Sequence, residues 1–317
     1  MVEYLVTGGA GFIGSHLTEG LVRRGASVRV IDNLITGKRD NLAPFLDKIE
    51  FIEADLRDPA ACRRACQGVR VVLHQAALPS VPKSVADPVT SHECNINGTF
   101  NLLLAARDAK VERFVYAGSS SAYGESPTLP KVETMVTSPL SPYAVNKLVG
   151  EYYCKVFAEV YGMSTVTLRY FNVFGPRQDP TSQYAAAIPA FVTHIIRDEP
   201  PTVYGDGEQT RDFTFIENVV HGNLLAAKAA GLRGEVINLA CGEHISVNRI
   251  IARINELLRK NVRANHVPPR AGDIKHSWAD IQLAERLLGY KPVVSFDEGL
   301  RRSIAWYTEQ AGASARA

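Results

Sequence analysis

What this chain lacks narrows its function before any motif does. Its 317 residues contain no stretch of about 18 uninterrupted apolar positions, so no membrane-spanning helix is expected and no membrane partner. The opening MVEYLVTGGAG has no basic stretch followed by a long apolar core and a small-residue cleavage site, which points to a cytoplasmic location. Net charge is only +2 and no basic run exceeds a few residues, so the electrostatic footprint of a nucleic-acid binder is missing. The five cysteines, Cys62, Cys66, Cys94, Cys154 and Cys241, fit neither a zinc spacing nor an even disulfide framework and are expected to act as small core residues. The eight histidines include no HExxH pair, and no metal is expected. No Gly/Ser or Pro-rich linker, repeat or low-complexity segment divides the chain. A composition of 46% hydrophobic and 21% charged residues instead suits one large or two interlocked domains.

What is present is an alternation. The apolar run VEYLVT (2–7) ends in glycines and is followed at once by the helical spacing of Phe12, Ile13, Leu17, Leu21 and Val22. Strand-like runs recur at SVRVID (27–32), IEFIEAD (49–55), VRVVLHQ (69–75), RFVYAGS (113–119) and TVTLRYF (165–171), with helical stretches between them. Continuous β-branched runs between helices predict an α/β fold, a Rossmann-type doubly wound parallel sheet covered on both faces. After Phe174 prolines become frequent and elements shorten, which predicts a smaller α/β substrate domain interleaved with the first. The expected division is 1–174 for the dinucleotide domain, with 211–234 returning to it as strand and helix, and 175–210 plus 235–317 for the second domain.

The first turn reads TGGAGFIGS, with Gly8, Gly11 and Gly14 in a GxxGxxG spacing. Glycines there let backbone amides approach a pyrophosphate at a helix N-terminus and let helix and strand pack closely. Asp32, 18 residues beyond Gly14 at the end of the next strand, is placed to accept from both ribose hydroxyls, which favours NAD over NADP. No Lys-Ser/Thr follows the glycines, so a nucleoside-triphosphate loop is excluded. Asp55 and Leu56 after the third strand are placed to meet adenine. Gln75, Ala76 and Ala77 after the fourth leave small side chains where the dinucleotide passes.

The stretch SPYAVNK (141–147) puts Tyr143 and Lys147 one helical turn apart behind a Ser-Pro start. A free tyrosine, with a pKa near 10, is only about one part in a thousand ionised at neutral pH. Lowering it by about three units needs roughly 4 kcal/mol, which a nearby ammonium and an oxidised nicotinamide can supply. Upstream, GSSSAYG (118–124) brings Ser119, Ser120 and Ser121 to the carboxyl end of the sheet, where a hydroxyl can bond the oxygen that the tyrosine deprotonates. A hydrolase elbow would need GxSxG, and Ala122 stands where its last glycine belongs.

TGGAGFIGS, Asp32, GSSSAYG, SPYAVNK and LRYFNVFGPRQ together resemble the extended short-chain dehydrogenase/reductase family, specifically its nucleotide-sugar 4-epimerases. The resemblance covers nearly the whole chain, including YGDGEQTRDF (204–213) and RAGDIKHSWAD (270–280). It implies that Tyr143 is the base, that Lys147 keeps it ionised while holding the cofactor ribose, and that Ser119 is the preferred hydroxyl partner, with Ser120 and Ser121 left open. It extends the NAD contacts to Phe12, Ile13, Asn33, Asn95 and Tyr170. For a UDP-sugar it implies Arg211 and Arg270 on the phosphates, Asn172 on a phosphate oxygen, Asp273 on the uridine ribose, and Thr202 to Tyr204 along the base. A homodimer is also implied, through the helix starting near Tyr143 and the apolar stretch 96–106.

Two departures from the glucose-type pattern narrow the sugar. The loop HQAALPSVPKS (74–84) carries Pro79 and the run Ser80-Val81-Pro82 where a lysine is usual, and this resembles enzymes for N-acetylated UDP-sugars. Ser277 stands where a bulky tyrosine confines some members to non-acetylated sugars. The expectation is interconversion of UDP-N-acetylglucosamine and UDP-N-acetylgalactosamine, with UDP-glucose and UDP-galactose as a slower pair. A UDP-glucuronate epimerase or decarboxylase and a non-catalytic nucleotide-sugar or NAD sensor stay open as alternatives.

Overall fold

Neighbouring residues of the first strand face opposite ways, Leu5 into one hydrophobic layer and Val6 into the other, which is the pleat of a sheet buried on both sides. The computed structural model describes residues 2–180, 187–269 and 275–314. Arg270 and Asp273 lie outside these described residues.

The first part of the chain runs β1 (Val2–Thr7), α1 (Phe12–Val22), β2 (Val28–Asp32), β3 (Ile49–Glu53), α2 (Pro59–Cys66), β4 (Val69–His74), α3 (Val81–Ala86), α4 (Pro88–His92), a π turn (Glu93–Asn97), α5 (Gly98–Asp108), β5 (Arg113–Ser119), α6 (Pro142–Tyr161) and β6 (Thr165–Tyr170). The second part runs β7 (Val173–Phe174), α7 (Ala187–Ile196), β8 (Thr202–Tyr204), β9 (Thr210–Arg211), β10 (Thr214–Phe215), α8 (Ile216–Lys228), β11 (Glu235–Leu239), β12 (Ile245–Ser246), α9 (Val247–Leu258), β13 (Asn265–Val267), β14 (His276–Ser277), α10 (Gln282–Leu288) and α11 (Phe296–Ser314).

Seven parallel strands form the central sheet in the order β11-β6-β5-β4-β1-β2-β3. The chain reverses direction across the sheet between β1 and β4, and the crevice at their carboxyl ends is where such sheets bind dinucleotides. Leu17 and Leu21 of α1 and Val219 of α8 cover one face together with Val6, Val30 and Leu73. Leu102 and Leu103 of α5 and Cys154 and Phe157 of α6 cover the other, against Leu5, Ile31 and Phe114. Cys62 and Cys66 are also buried in that second layer. Among the described residues no helix is long and apolar enough to cross a membrane.

The strands expected from the sequence form, each ending within one or two residues of its expected limit. The division of the chain needs correction. The return to the central sheet does not stop at residue 234, because β11 (Glu235–Leu239) pairs along β6 from Glu235↔Val166 to Leu239↔Tyr170. The strand expected within 211–230 is also placed differently. β10 pairs only with β7 in a separate two-stranded sheet, while α8 behind it packs on the central layer. Glu235 and Asn238 break the apolar run in β11, so its composition hides a sheet position.

Candidate active site

The glycine turn connects β1 to α1, and each glycine has a different reason. Gly8 takes φ +65°, where a side chain is strained, and a Cβ there would lie 2.7 Å from Ala76 Cα. A Cβ at Gly14 would lie 2.1 Å from the Gly8 carbonyl oxygen, so this helix cannot approach the turn with any other residue. Gly11 differs, because its φ of −77° suits any residue and the Gly8 carbonyl oxygen, at 3.2 Å, is the one atom its Cβ would meet. Its surroundings leave room for a ligand against the N-terminus of α1, which fits a dinucleotide pyrophosphate. Phe12 and Ile13 follow, partly buried against the core. Gly11→Val is therefore expected to leave the melting temperature within about 2 °C of wild type, as for a surface change, while NAD is lost from the purified protein. Release of nicotinamide absorbance on denaturation checks this, and full NAD content in the variant would move the cradle elsewhere.

Asp32, buried at the end of β2, accepts from the Ala10 amide at 2.9 Å through Oδ2 and from the Leu34 amide at 2.8 Å through Oδ1. Burial pushes its carboxyl up and the two amide bonds oppose that. Asn33 donates to Asp55 at 2.8 Å, and Asp55 also holds Arg57 at 2.9 Å. Against the upward pull of its burial, those bonds hold Asp55 down to about 2. Leu56 is buried beside Gly98. These residues share the crevice edge formed by β2 and β3, as the spacing predicts.

Beyond β4 the chain is held by buried polar groups. The Thr7 hydroxyl bonds His74 Nδ1 at 2.7 Å and accepts from the Ala76 amide at 3.2 Å. Ala77 continues the segment, and the following Leu78 amide donates to Asn95 Oδ1 at 2.8 Å. Asn95 sits in the π turn, buried, and also donates to Ser91 Oγ at 3.3 Å. Its amide thus shapes the 76–78 segment. The Tyr170 hydroxyl meets Gln75 Oε1 and Asn223 Oδ1, each at 3.1 Å, tying the end of β6 to the end of β4 and to α8.

Tyr143, Lys147 and Glu151 occupy successive turns on the inner face of α6. Ser141 caps the helix by accepting from the Ala144 amide at 3.2 Å, and Pro142 takes its first position. Ser119 is the neighbouring hydroxyl that favours ionisation of the Tyr143 phenol. Ser119 Oγ lies 2.8 Å from Ser121 Oγ and also accepts from the Ser121 amide at 3.2 Å. Ser120 stands between them at the start of a short 3-10 turn.

The electrostatics depart from the expectation for the pair. Burial pushes the Tyr143 phenol up to about 12, outweighing the Ser119 bond that favours the phenolate. Lys147 is pushed down to about 8 by burial, against the opposing charge of Glu151. Its ammonium donates to the Ala117 carbonyl at 2.8 Å and lies 5.1 Å from the Tyr116 ring centroid. The chain alone therefore keeps the phenol protonated, and Lys147 is held against β5 instead of ionising Tyr143 by direct contact. The physical reason is desolvation, which a helix pattern does not display.

The second lobe assembles the other residues. β9 and β14 pair in parallel with Ser277 opposite Arg211, which brings together two positions 66 residues apart. Arg211 Nη1 donates to the Thr210 and Lys275 carbonyls at 2.9 and 3.2 Å. Asn172, at φ +28°, donates to the Asp212 carbonyl at 3.0 Å. Thr202 and Tyr204 bound β8, and the Tyr204 carbonyl accepts from Gln209 at 2.8 Å. Ser80 uses its hydroxyl as the N-cap of α3, accepting from the Lys83 amide at 3.2 Å. Three groups that sequence reading missed organise the site: the Glu151–Arg169 pair, Ser84, and Asp212. The Asp212 carboxylate accepts from the amides of Cys241, Gly242 and Ala279 at 3.0, 2.9 and 3.2 Å.

This geometry has close relatives. The profile of the NAD dependent epimerase/dehydratase family matches residues 4–240. A UDP-N-acetylglucosamine 4-epimerase from Methanobrevibacter ruminantium M1, in complex with UDP-N-acetylmuramic acid, is 40% identical with a TM-score of 0.93, covering 98% of this chain and 100% of that one. The UDP-glucose 4-epimerase of Thermotoga maritima, with UDP-glucose, is 35% identical with a TM-score of 0.93 and the same coverage. The UDP-glucuronic acid 4-epimerase of Bacillus cereus, in complex with UDP-glucuronic acid and NAD, is 34% identical with a TM-score of 0.89, again covering 98% and 100%. By both sequence and fold, then, the chain belongs to the NAD dependent epimerase/dehydratase family as an NAD-using enzyme of the UDP-sugar 4-epimerase type.

Proposed function

We propose that the protein interconverts UDP-N-acetylglucosamine and UDP-N-acetylgalactosamine by epimerisation at C4, with UDP-glucose and UDP-galactose as a slower pair. The observation that carries the chemistry is the placement of the half-buried Tyr143 on α6 one turn from Lys147, with Ser119 at the carboxyl end of β5 the hydroxyl that favours its ionisation. NAD, when bound, supplies the hydride acceptor and donor and a positive ring charge. Tyr143 takes the proton from the sugar 4-hydroxyl and later returns it to the carbonyl oxygen, once the 4-keto sugar has turned to present its opposite face. Ser119 holds that oxygen by a hydrogen bond, and Lys147 supplies the ammonium that favours the phenolate. Gly8, Gly11, Gly14 and Asp32 hold the dinucleotide, with Phe12, Ile13, Asn33, Asp55, Leu56, Gln75, Ala76 and Ala77 lining its path. Asn95 and Tyr170 shape that path from behind. Arg211 and Asn172 are assigned to the diphosphate and Thr202 and Tyr204 to the uracil side.

The preference for acetylated sugar is supported by the small Ser277 opposite Arg211 and by the segment 79–82, which spends its Ser80 hydroxyl on capping α3. Incubation with UDP-N-acetylglucosamine, UDP-glucose and UDP-glucuronic acid in parallel, with the products read by NMR, tests the assignment. Turnover of UDP-glucuronic acid alone, with or without released carbon dioxide, would replace it. Ser277→Tyr is expected to lower kcat/KM for the acetylated pair about 100-fold, as when a pocket is filled by a clashing side chain, and to change the glucose pair less than about threefold. Equal losses for both pairs would remove the steric argument.

A homodimer is supported by Val145, Tyr152, Val156 and Val160, which form an exposed apolar stripe along α6. Leu102, Leu103, Ala105 and Ala106 of the α5 stretch are buried in the protein's own core, so α6 carries the exposed face. Sedimentation at the mass of one chain at micromolar concentration would refute this.

A further inference from the structure

We propose that Ser84 is a positioning residue that fixes the backbone of Tyr143 and thereby sets the phenol against Ser119. The first turn of a helix has amides without intrahelical partners. In α6 Pro142 has no amide hydrogen, and the Ala144 amide goes to the local cap Ser141 at 3.2 Å. The Tyr143 amide goes to Ser84 Oγ at 3.0 Å, from a residue 59 positions earlier. The Ser84 hydroxyl donates its hydrogen to the Val81 carbonyl at 2.7 Å, so its lone pair is turned toward Tyr143 and its rotation is fixed. Ser84 is 2% exposed, which leaves water little access to replace it at the Tyr143 amide.

A second tie makes the role separable from folding. Seven residues on, Ser91 Oγ accepts from Asn146 Nδ2 at 3.0 Å and from Asn95 Nδ2 at 3.3 Å, so α3 and α4 stay docked on α6 when Ser84 loses its oxygen. The two ties grip α6 at Tyr143 and just before Lys147. Residues 78–84 directly follow the 75–77 segment, and Ser84 lets their placement govern the aim of the phenol. This inference rests on the reading of Tyr143 as the base.

The experiment compares wild type, Ser84→Ala, Ser84→Cys, Ser84→Thr and Tyr143→Phe, with rates expressed per bound NAD on UDP-N-acetylglucosamine and UDP-glucose. Ser84→Ala and the near-isosteric Ser84→Cys are expected to lose about 10-fold in kcat, in the range that small misplacement of a reacting group costs. KM is expected to stay within about twofold, since the substrate contacts are untouched. Ser84→Thr, which keeps the acceptor, is expected to recover most of the rate. The proposal is overturned if both Ala and Cys variants keep wild-type kcat, if their loss disappears once rates are normalised to folded, NAD-loaded protein, or if Thr recovers nothing. A wild type without turnover, or a fully active Tyr143→Phe, instead brings down the underlying reading. An active wild type, a dead Tyr143→Phe and an unaffected Ser84→Ala isolate the failure to Ser84.

Discussion

Tyr143→Phe is expected to lower kcat by about 10³-fold, within the range that a positioned acid–base group contributes, while the bound NAD and the melting temperature stay close to wild type. The expectation follows from what the phenol touches. Its ring is half-buried on α6 and its ionisation is favoured by Ser119, so phenylalanine keeps the packing and removes only the atom that exchanges a proton. Loss of that hydroxyl leaves Ser119 with its Ser121 partner, which limits the cost to the fold. The pH dependence carries the same assignment. Tyr143 must be deprotonated to act as base, so the rate rises with pH. Lys147 must be protonated to favour the phenolate, and its pKa is pushed down to about 8 by burial while the phenol sits at about 12, so the rise levels off above about pH 8. The wild-type profile is expected to rise and then level off, and the residual rate of the phenylalanine variant is expected to lose the acid limb. A variant with full activity, or an unchanged acid limb, removes Tyr143 as the base.

Glu151→Ala carries the largest expected effect on stability. Arg169 binds Glu151 through Nε at 3.0 and 3.2 Å and through Nη2 at 2.7 Å, with side-chain exposures of 4% and 2%. Removing the carboxylate leaves a guanidinium in a site without water, a change that costs about 3–5 kcal/mol. For a chain of this size that corresponds to a fall in melting temperature of roughly 4–8 °C. Calorimetry checks it, and a fall of less than about 2 °C would show that Arg169 finds other partners. Glu151 also stands one turn beyond Lys147, and its charge opposes the desolvation that lowers that lysine. The rate of the surviving enzyme is therefore expected to level off at lower pH than that of wild type. The pair is allowed by two glycines: a Cβ at Gly118 would lie 3.0 Å from Glu151 Oε1, and one at Gly150 would lie 2.2 Å from the Tyr116 hydroxyl.

Much of this site is legible in the linear chain because its key relations are local. Gly8, Gly11 and Gly14 turn one strand into one helix, and Asp32 ends the next strand. The four-residue step from Tyr143 to Lys147 has one meaning once a helix is granted. Ser141 and Pro142 mark where that helix begins, one by capping its amides and the other by needing no amide partner. The serine triplet marks the right loop but not the right hydroxyl, since three adjacent serines share one composition, and only the fold singles out Ser119 as the one that favours the Tyr143 phenolate.

By itself, then, the sequence determined the parallel sheet, the dinucleotide turn and the tyrosine–lysine spacing, all of which follow from the periods of strand and helix and from the conformations that glycine and proline permit. Tertiary structure alone decided that β11 closes the sheet edge, that Ser277 lies opposite Arg211, that Ser84 grips the Tyr143 amide and that Arg169 reaches Glu151. Those partners are 18 to 69 positions apart, and no local periodicity specifies which distant segment arrives beside a given residue. Only the packed chain also shows how far packing takes Lys147, buried, and Tyr143, half-buried, out of water. That desolvation moves both pKa values the opposite way from their mutual attraction.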